Sequence, residues 1–207
     1  MEKKLVIATQ NNGKAREFRA VFEPAGWQVL TLNDFDHLAQ VNETGRTFEE
    51  NARLKADFFA AKLHCPVLAD DSGLQVTFLH GQPGIYSARY AGVAHDDAAN
   101  NARLLAELGG VPAEQRQANF HTTLVLAWPQ RPEQDLVVNG DVKGEILSVP
   151  RGEDGFGYDP LFYLADLDKT FAELNAIDKN KYSHRGAAIQ NLLPVWQQWW
   201  QEQEQQG

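Results

Sequence analysis

The chain has 207 residues, 43% of them hydrophobic, 10% aromatic and 23% charged, a globular composition that excludes intrinsic disorder and fibrous repeats. Its 19 Lys and Arg stand against 28 Asp and Glu, and the net charge of −9 opposes binding to a nucleic-acid backbone. A small polyanion can still bind wherever Lys and Arg cluster locally.

The length fits one compact domain, and no linker or internal repeat divides it. The first apolar run, Leu5 to Ala8, is far shorter than the roughly 7 to 15 residues of a signal-peptide core, and no window approaches the ~18 apolar residues of a membrane span. A soluble, cytoplasmic protein is expected, with no membrane partner. The single cysteine, Cys65, lies beside Pro66 in an apolar stretch and reads as core.

Leu5-Val6-Ile7-Ala8 has the continuous apolar character of a strand buried on both faces. The turn-rich Thr9 to Lys14 follows, then Ala15 to Phe22 at helical spacing, stopped by Pro24 and Gly26. Trp27 to Leu32 supplies a second strand. Thr47 and Glu50, three apart, form a capping box for a long helix ending near Leu63. Pro66 to Ala69 is another buried strand, with Asp70-Asp71-Ser72-Gly73 at its end and an extended pattern resuming over Leu74 to Leu79. Asp96 caps a helix running to about Leu108, before Gly109-Gly110 and Pro112. Asn119 to Trp128 and Leu136 to Leu147 are rich in β-formers and joined by a Pro-containing turn, which predicts an antiparallel pair and a mixed sheet. Gly152, Gly155 and Gly157 punctuate a loop before Leu161 to Leu164. Asn175 caps one final helix, and the Gln/Glu-rich tail after Trp200 is expected to fray.

Four segments suggest chemistry. In the first, Thr9 to Lys14, a strand ends in a small polar loop that opens a helix, presenting backbone N–H groups to an anion with Lys14 adding charge. It is no Walker loop, since Ala8 stands where that pattern needs Gly and Ala15 where it needs Ser or Thr. The second is Asp70-Asp71, where ligands of open α/β sheets bind; the alternation of a strand predicts that only one of the two faces the site. A carboxylate beside a phosphate loop invites Mg²⁺, with Glu43 as the natural second carboxylate. The third is Gly155-Phe156-Gly157-Tyr158-Asp159-Pro160, an aromatic between two glycines that leave its face open for stacking on a base. The fourth is the basic cluster Lys179, Lys181, His184 and Arg185, more informative in an acidic chain than in a basic one. Each has a blander reading: a tight turn, a solvated acidic turn, a core aromatic and a solvated helical face. The stripe Trp196, Trp199 and Trp200 reads as core or subunit contact.

Taken together, Thr9-Gln10-Asn11-Asn12-Gly13-Lys14, Thr47 to Ala52 with Lys55, Ala69-Asp70-Asp71-Ser72-Gly73-Leu74, Pro83 to Tyr90, Gly155 to Pro160 and Ser183-His184-Arg185-Gly186 resemble the RdgB-type inosine/xanthosine triphosphate pyrophosphatases, or ITPase family. The motifs fall in the family's order over nearly the whole chain. The resemblance implies an elongated, bilobed single α/β domain with a central mixed β-sheet flanked by helices and the active-site cleft between its lobes. It implies a homodimer that hydrolyses ITP, dITP and XTP to monophosphate and pyrophosphate with Mg²⁺, keeping deaminated purines out of DNA and RNA. Residue by residue, Thr9, Gln10, Asn11, Asn12, Gly13 and Lys14 would hold the triphosphate, assisted by Lys55. Asp71 would be general base and metal ligand, Glu43 the second ligand and Ser72 a substrate contact. Phe156, Gly157, Tyr158 and Asp159 would meet base and sugar, with Lys179, His184 and Arg185 closing over the purine. Gln10 departs from the family, which usually has Gly there.

Two rival functions share parts of this pattern. A pyrophosphatase of modified pyrimidine nucleotides should lack the set Phe156, Asp159, His184 and Arg185. A non-catalytic nucleotide-binding protein would dispense with Glu43, Asp70 and Asp71.

Overall fold

The computed structural model describes residues 3–205. Among these residues seven strands form one sheet in the order β2-β1-β3-β4-β5-β6-β7, comprising β1 Lys4–Ile7, β2 Gln28–Thr31, β3 Val67–Val76, β4 Gln117–Ala127, β5 Leu136–Ile146, β6 Phe162–Leu164 and β7 Lys169–Thr170. β1 runs parallel to β2, with Leu5 opposite Val29, and parallel to β3, with Ile7 opposite Leu68. β6 is antiparallel to both β5 and β7, so the sheet is mixed, as expected. Five α-helices accompany it among the described residues, α1 Asn12–Phe22, α2 Phe48–Leu63, α3 Asp97–Glu107, α4 Ala176–Tyr182 and α5 His184–Gln205.

The chain divides into two compact units built from non-contiguous segments. Of the described residues, one comprises 3–71, 122–140 and 188–205, the other 72–121 and 141–187. In the first unit the strand alternation predicted from sequence sorts two cores. Leu5, Ile7, Leu68, Leu124 and Leu126 pack with Phe18 and Phe22 of α1 and with Ile189, Leu192, Trp196 and Trp199 of α5. The alternate residues Val6, Ala8, Val67, Ala69, Val125 and Ala127 pack with Ala52, Ala56, Phe59 and Ala60 of α2. Alanines spaced four apart let α2 lie close to the sheet. Each fully buried large side chain stabilises this arrangement by roughly 1.5–3 kcal/mol. In the second unit Leu74 and Val76 pack with Leu104 and Leu108, Phe120, Phe162, Leu164 and Phe171.

Four expectations need correction. β3 is continuous from Val67 to Val76, so the acidic pair sits in mid-strand rather than at a strand end, its charges matched by lysines described below. Thr47 caps α2 by accepting from the Glu50 N–H (3.1 Å), but the Glu50 carboxylate accepts from the Arg46 N–H (2.6 Å), so the reciprocal half of the box is displaced by one residue. The final helix is two helices. Asn175 caps only α4, and Ser183 breaks the run with extended backbone, accepting from the Gly186 N–H (3.1 Å) to start α5. Gly186 is required there, because a Cβ would overlap the Asn180 carbonyl oxygen. Lastly, the tail does not fray after Trp200: α5 reaches Gln205, with Gln203 buried and its carbonyl accepting from Arg131 (2.9 Å). Trp196 and Trp199 are core, in a cluster of rings that includes Trp27, Trp128 and Phe22.

Candidate active site

In the first unit, β1 delivers the chain to Thr9 and α1 opens at Asn12. The Thr9 hydroxyl accepts from the Asn11 N–H (3.1 Å), and the Asn11 side chain accepts from the N–H groups of Gly13 (2.8 Å) and Lys14 (3.1 Å). The amides expected to face an anion are therefore capped by Asn11, the ordinary fate of the first N–H groups of a helix. Asn12 and the Gln10 carbonyl are both held by Asn33. Gln10 is absent from the left-handed backbone positions among the described residues, so the loop needs no glycine at that point.

Asp70 and Asp71 point to opposite sides of β3, and each meets a lysine from the helix on its own side. Lys14 of α1 lies 2.7 Å from Asp70, whose other oxygen accepts from the buried Thr122 hydroxyl. Lys55 of α2 lies 2.9 Å from Asp71 and 2.7 Å from Glu43, and donates to the Asp70 carbonyl at 2.9 Å. The two carboxylates thus lie on opposite faces of the strand, as its alternation predicts, and each is matched by its own cation. Burial raises the Asp71 carboxyl above the usual range despite Lys55, and Glu43 adds to the rise. Burial acts to lower the Lys55 ammonium, but Asp71 and Glu43 outweigh it and hold it above the ordinary lysine value.

Asn51, fully buried one turn before Lys55, accepts from the Gly45 N–H (2.8 Å) and turns its amide nitrogen to Asp71 (3.5 Å). It thereby ties the segment carrying Glu43 to the strand carrying Asp71. The two carboxylates that converge on the Lys55 ammonium are an all-oxygen donor set, and such a set fits Mg²⁺, which takes one or two carboxylates and completes its shell with water and phosphate. Among the described residues no group of three or more His, Cys, Asp or Glu gathers into a closed cage.

In the second unit, the loop before β6 carries Phe156. Gly155 and Gly157 both have left-handed backbone (φ 85° and 63°), and a Cβ at Gly155 would overlap the Asp159 carboxylate. Asp159 accepts from the Phe156 N–H (2.8 Å) and from Lys179 (2.5 Å), both charged side chains being buried. The Phe156 ring has the Lys179 ammonium 4.4 Å and the Arg185 guanidinium 5.9 Å from its centre, so cations, rather than open space, flank the aromatic. Arg185, 1% exposed, donates to Ser72 (3.1 Å), and His184 stacks on Phe120 with centroids 4.6 Å apart and planes 9° from parallel. Tyr158 departs from expectation. It lies in the core, donates to the Ser87 carbonyl (2.9 Å), and burial raises its phenol.

Of the basic cluster, Lys179, His184 and Arg185 are buried, which sets aside the solvated helical face, and Lys181 is exposed, over Tyr182. Sequence reasoning gave no role to Asn51, Thr122 or Phe120. The helical spacing from Asn51 to Lys55 was a usable signal. Thr122 and Phe120, inside a β-rich run, gave none.

A profile of the Ham1 family matches residues 5–195. The chain is 52% identical over 202 residues to the dITP/XTP pyrophosphatase of Lactobacillus johnsonii, covering 97% of this chain and 98% of that one. It is 53% identical over 196 residues to the dITP/XTP pyrophosphatase of Lactiplantibacillus plantarum, covering 95% and 96%. Among solved structures, the Ham1 protein of Staphylococcus aureus superposes with a TM-score of 0.81 at 44% identity, covering 95% of this chain and 98% of that one.

Proposed function

We infer the reaction from one premise: the chain belongs to the Ham1 family, and it is a nucleoside triphosphate pyrophosphatase that converts deaminated purine nucleotides to monophosphate and pyrophosphate. The substrates are ITP, dITP and XTP, and their removal keeps deaminated bases out of DNA and RNA. A role on modified pyrimidine nucleotides is not favoured by these relatives.

The residue roles are our reading. Thr9 to Lys14 and Lys55 serve the triphosphate, with Asn11 exchanging its own cap for the phosphate. Glu43 and Asp71 would hold Mg²⁺, which when bound supplies charge neutralisation for the phosphates. Asp71 accepts a proton from the attacking water as the water oxygen bonds to the α-phosphorus and the bond to the bridging oxygen of the pyrophosphate breaks. Lys14 balances the charge that develops on that leaving group. Phe156 and Gly157 meet base and sugar, Asp159 holds their loop, and Ser72, Lys179, His184 and Arg185 serve the purine. Tyr158 contributes to this end from the core.

What carries the reading is the gathering of Lys14, Lys55, Asp70, Asp71 and Glu43, because charge placement of this kind is what phosphoryl chemistry needs and no covalent nucleophile is required. We further propose a cytoplasmic homodimer. The exposed Leu54 and Phe58, four apart on α2, offer an apolar stripe for such contact, and no described helix is long and apolar enough to cross a membrane.

The test is a panel of nucleoside triphosphates incubated with protein in ¹⁸O-water, with Mg²⁺ or with EDTA, and with pyrophosphate and orthophosphate measured separately. Pyrophosphate from ITP and XTP, label in the monophosphate and no turnover in EDTA are expected. Orthophosphate as first product, or full turnover without divalent ions, would overturn the assignment.

A further inference from the structure

The helix α3 carries no residue of the roles above, yet it grips the loop that bears Phe156. Asp97, at its first turn, accepts from the Gly157 N–H through its carboxylate at 2.6 Å. Asn101, one turn later on the same face, donates to the Gly157 carbonyl at 2.8 Å and to the Asp97 carbonyl at 2.8 Å. Both polar groups of residue 157 are thus held by side chains of one helix, while the Phe156 N–H is held by Asp159. Residue 157 has left-handed backbone, which without these bonds would be one of many conformations open to a glycine.

The helix that grips is itself firmly seated. Its Leu104 and the Leu108 that ends it are fully buried, and Asn100 binds the Ala91 N–H (2.7 Å) and the Ala88 carbonyl (3.3 Å). Rigidity therefore passes from the core of the second unit through Asp97 and Asn101 to a loop whose aromatic side chain is only half-buried.

We infer that Asp97 and Asn101 are positioning residues that set base selectivity by fixing the peptide after Phe156. The inference rests on the reading that Phe156 meets the purine. A loop left free to sample other conformations would order only on binding, and ordering costs affinity. The loss would fall on KM for the inosine nucleotide and on its margin over ATP, whereas the phosphate end, built from other segments, would be untouched.

The experiment compares Asp97→Ala, Asn101→Ala, Asp97→Asn and Phe156→Ala in the full chain. It reads kcat and KM for ITP and ATP, the inhibition constant of pyrophosphate, and Tm. Losing one such hydrogen bond corresponds to about a tenfold change, so both alanine variants should raise KM for ITP about tenfold and narrow the ITP to ATP ratio comparably. Pyrophosphate inhibition should stay within about twofold, and Asp97→Asn, which keeps an acceptor oxygen, should recover most of the loss. If Phe156→Ala impairs ITP but the alanine variants lower only Tm, or shift pyrophosphate inhibition in parallel, the clamp is structural and the inference fails. If Phe156→Ala leaves ITP recognition intact, it is the assignment of the base end that fails.

Discussion

Replacing Lys55 with Met should destabilise the protein in a way that a divalent cation repairs. Met keeps the apolar stem and removes the charge. The ammonium lies 2.7 Å from Glu43 and 2.9 Å from Asp71, so those carboxylate oxygens are at most about 5.6 Å apart. Without the cation they repel by about 3 kcal/mol at an effective dielectric constant near 20. Removing one partner of a buried ion pair costs about 3–5 kcal/mol, and the 28% exposure of the Glu43 side chain places this case at the lower end. Urea unfolding followed by tryptophan fluorescence, in EDTA, should therefore report a loss of about 3 kcal/mol. With saturating Mg²⁺ the deficit should shrink to about 1 kcal/mol or less, because a ligand that binds only the native state adds stability and the variant offers it an uncontested pair of carboxylates. Mg²⁺ should stabilise the parent less, since Lys55 competes for the same oxygens. A deficit that is identical with and without Mg²⁺ would refute the view of Glu43 and Asp71 as one cation site.

Two further outcomes are expected. Asp71→Asn should lower kcat for ITP by at least about 10²-fold while leaving nucleotide binding measurable, and Asp70→Asn should cost less; equal, small effects in steady-state assays would remove the general base from Asp71. Asp135 is pushed up to about 7 by burial and by the Asp57 carboxylate, against the pull of Arg53 2.9 Å away. Its folded-state value lies above the unfolded one, so its contribution is fully present below pH ~4 and is lost as pH rises towards ~7, with a slope of at most about 1.4 kcal/mol per pH unit. Asp135→Asn should flatten that part of a stability profile measured from pH 5 to 8, and an unchanged slope would show that another group titrates there.

Much of the fold was legible because its signals are local. The strand Leu5 to Ala8 and the helix closing at Leu63 follow from uninterrupted apolar runs and a cap, and the structure places them within a residue of expectation. The continuity of β3 was hidden because Asp-Asp-Ser-Gly has the composition of a turn. Only the lysines that α1 and α2 bring from distant sequence make two buried carboxylates tolerable in mid-strand. The break at Ser183 was missed for a related reason: Ser and Gly are weak helix signals in either direction, and a close approach between Gly186 and Asn180 decides the matter. The candidate site was readable as a set of motifs. What sequence withheld was how the charges are partnered before any substrate arrives.

That partnering governs which anions the resting protein can hold. Three carboxylates against two ammonium groups leave one negative charge in excess around Lys14 and Lys55. An ammonium already satisfied at 2.7 Å has little attraction left for a passing chloride, orthophosphate or mononucleotide. On the proposed reading, simple anions would therefore be poor competitors, and a phosphate chain would be admitted only when it arrives with enough positive charge to take over the carboxylates that the lysines must leave behind.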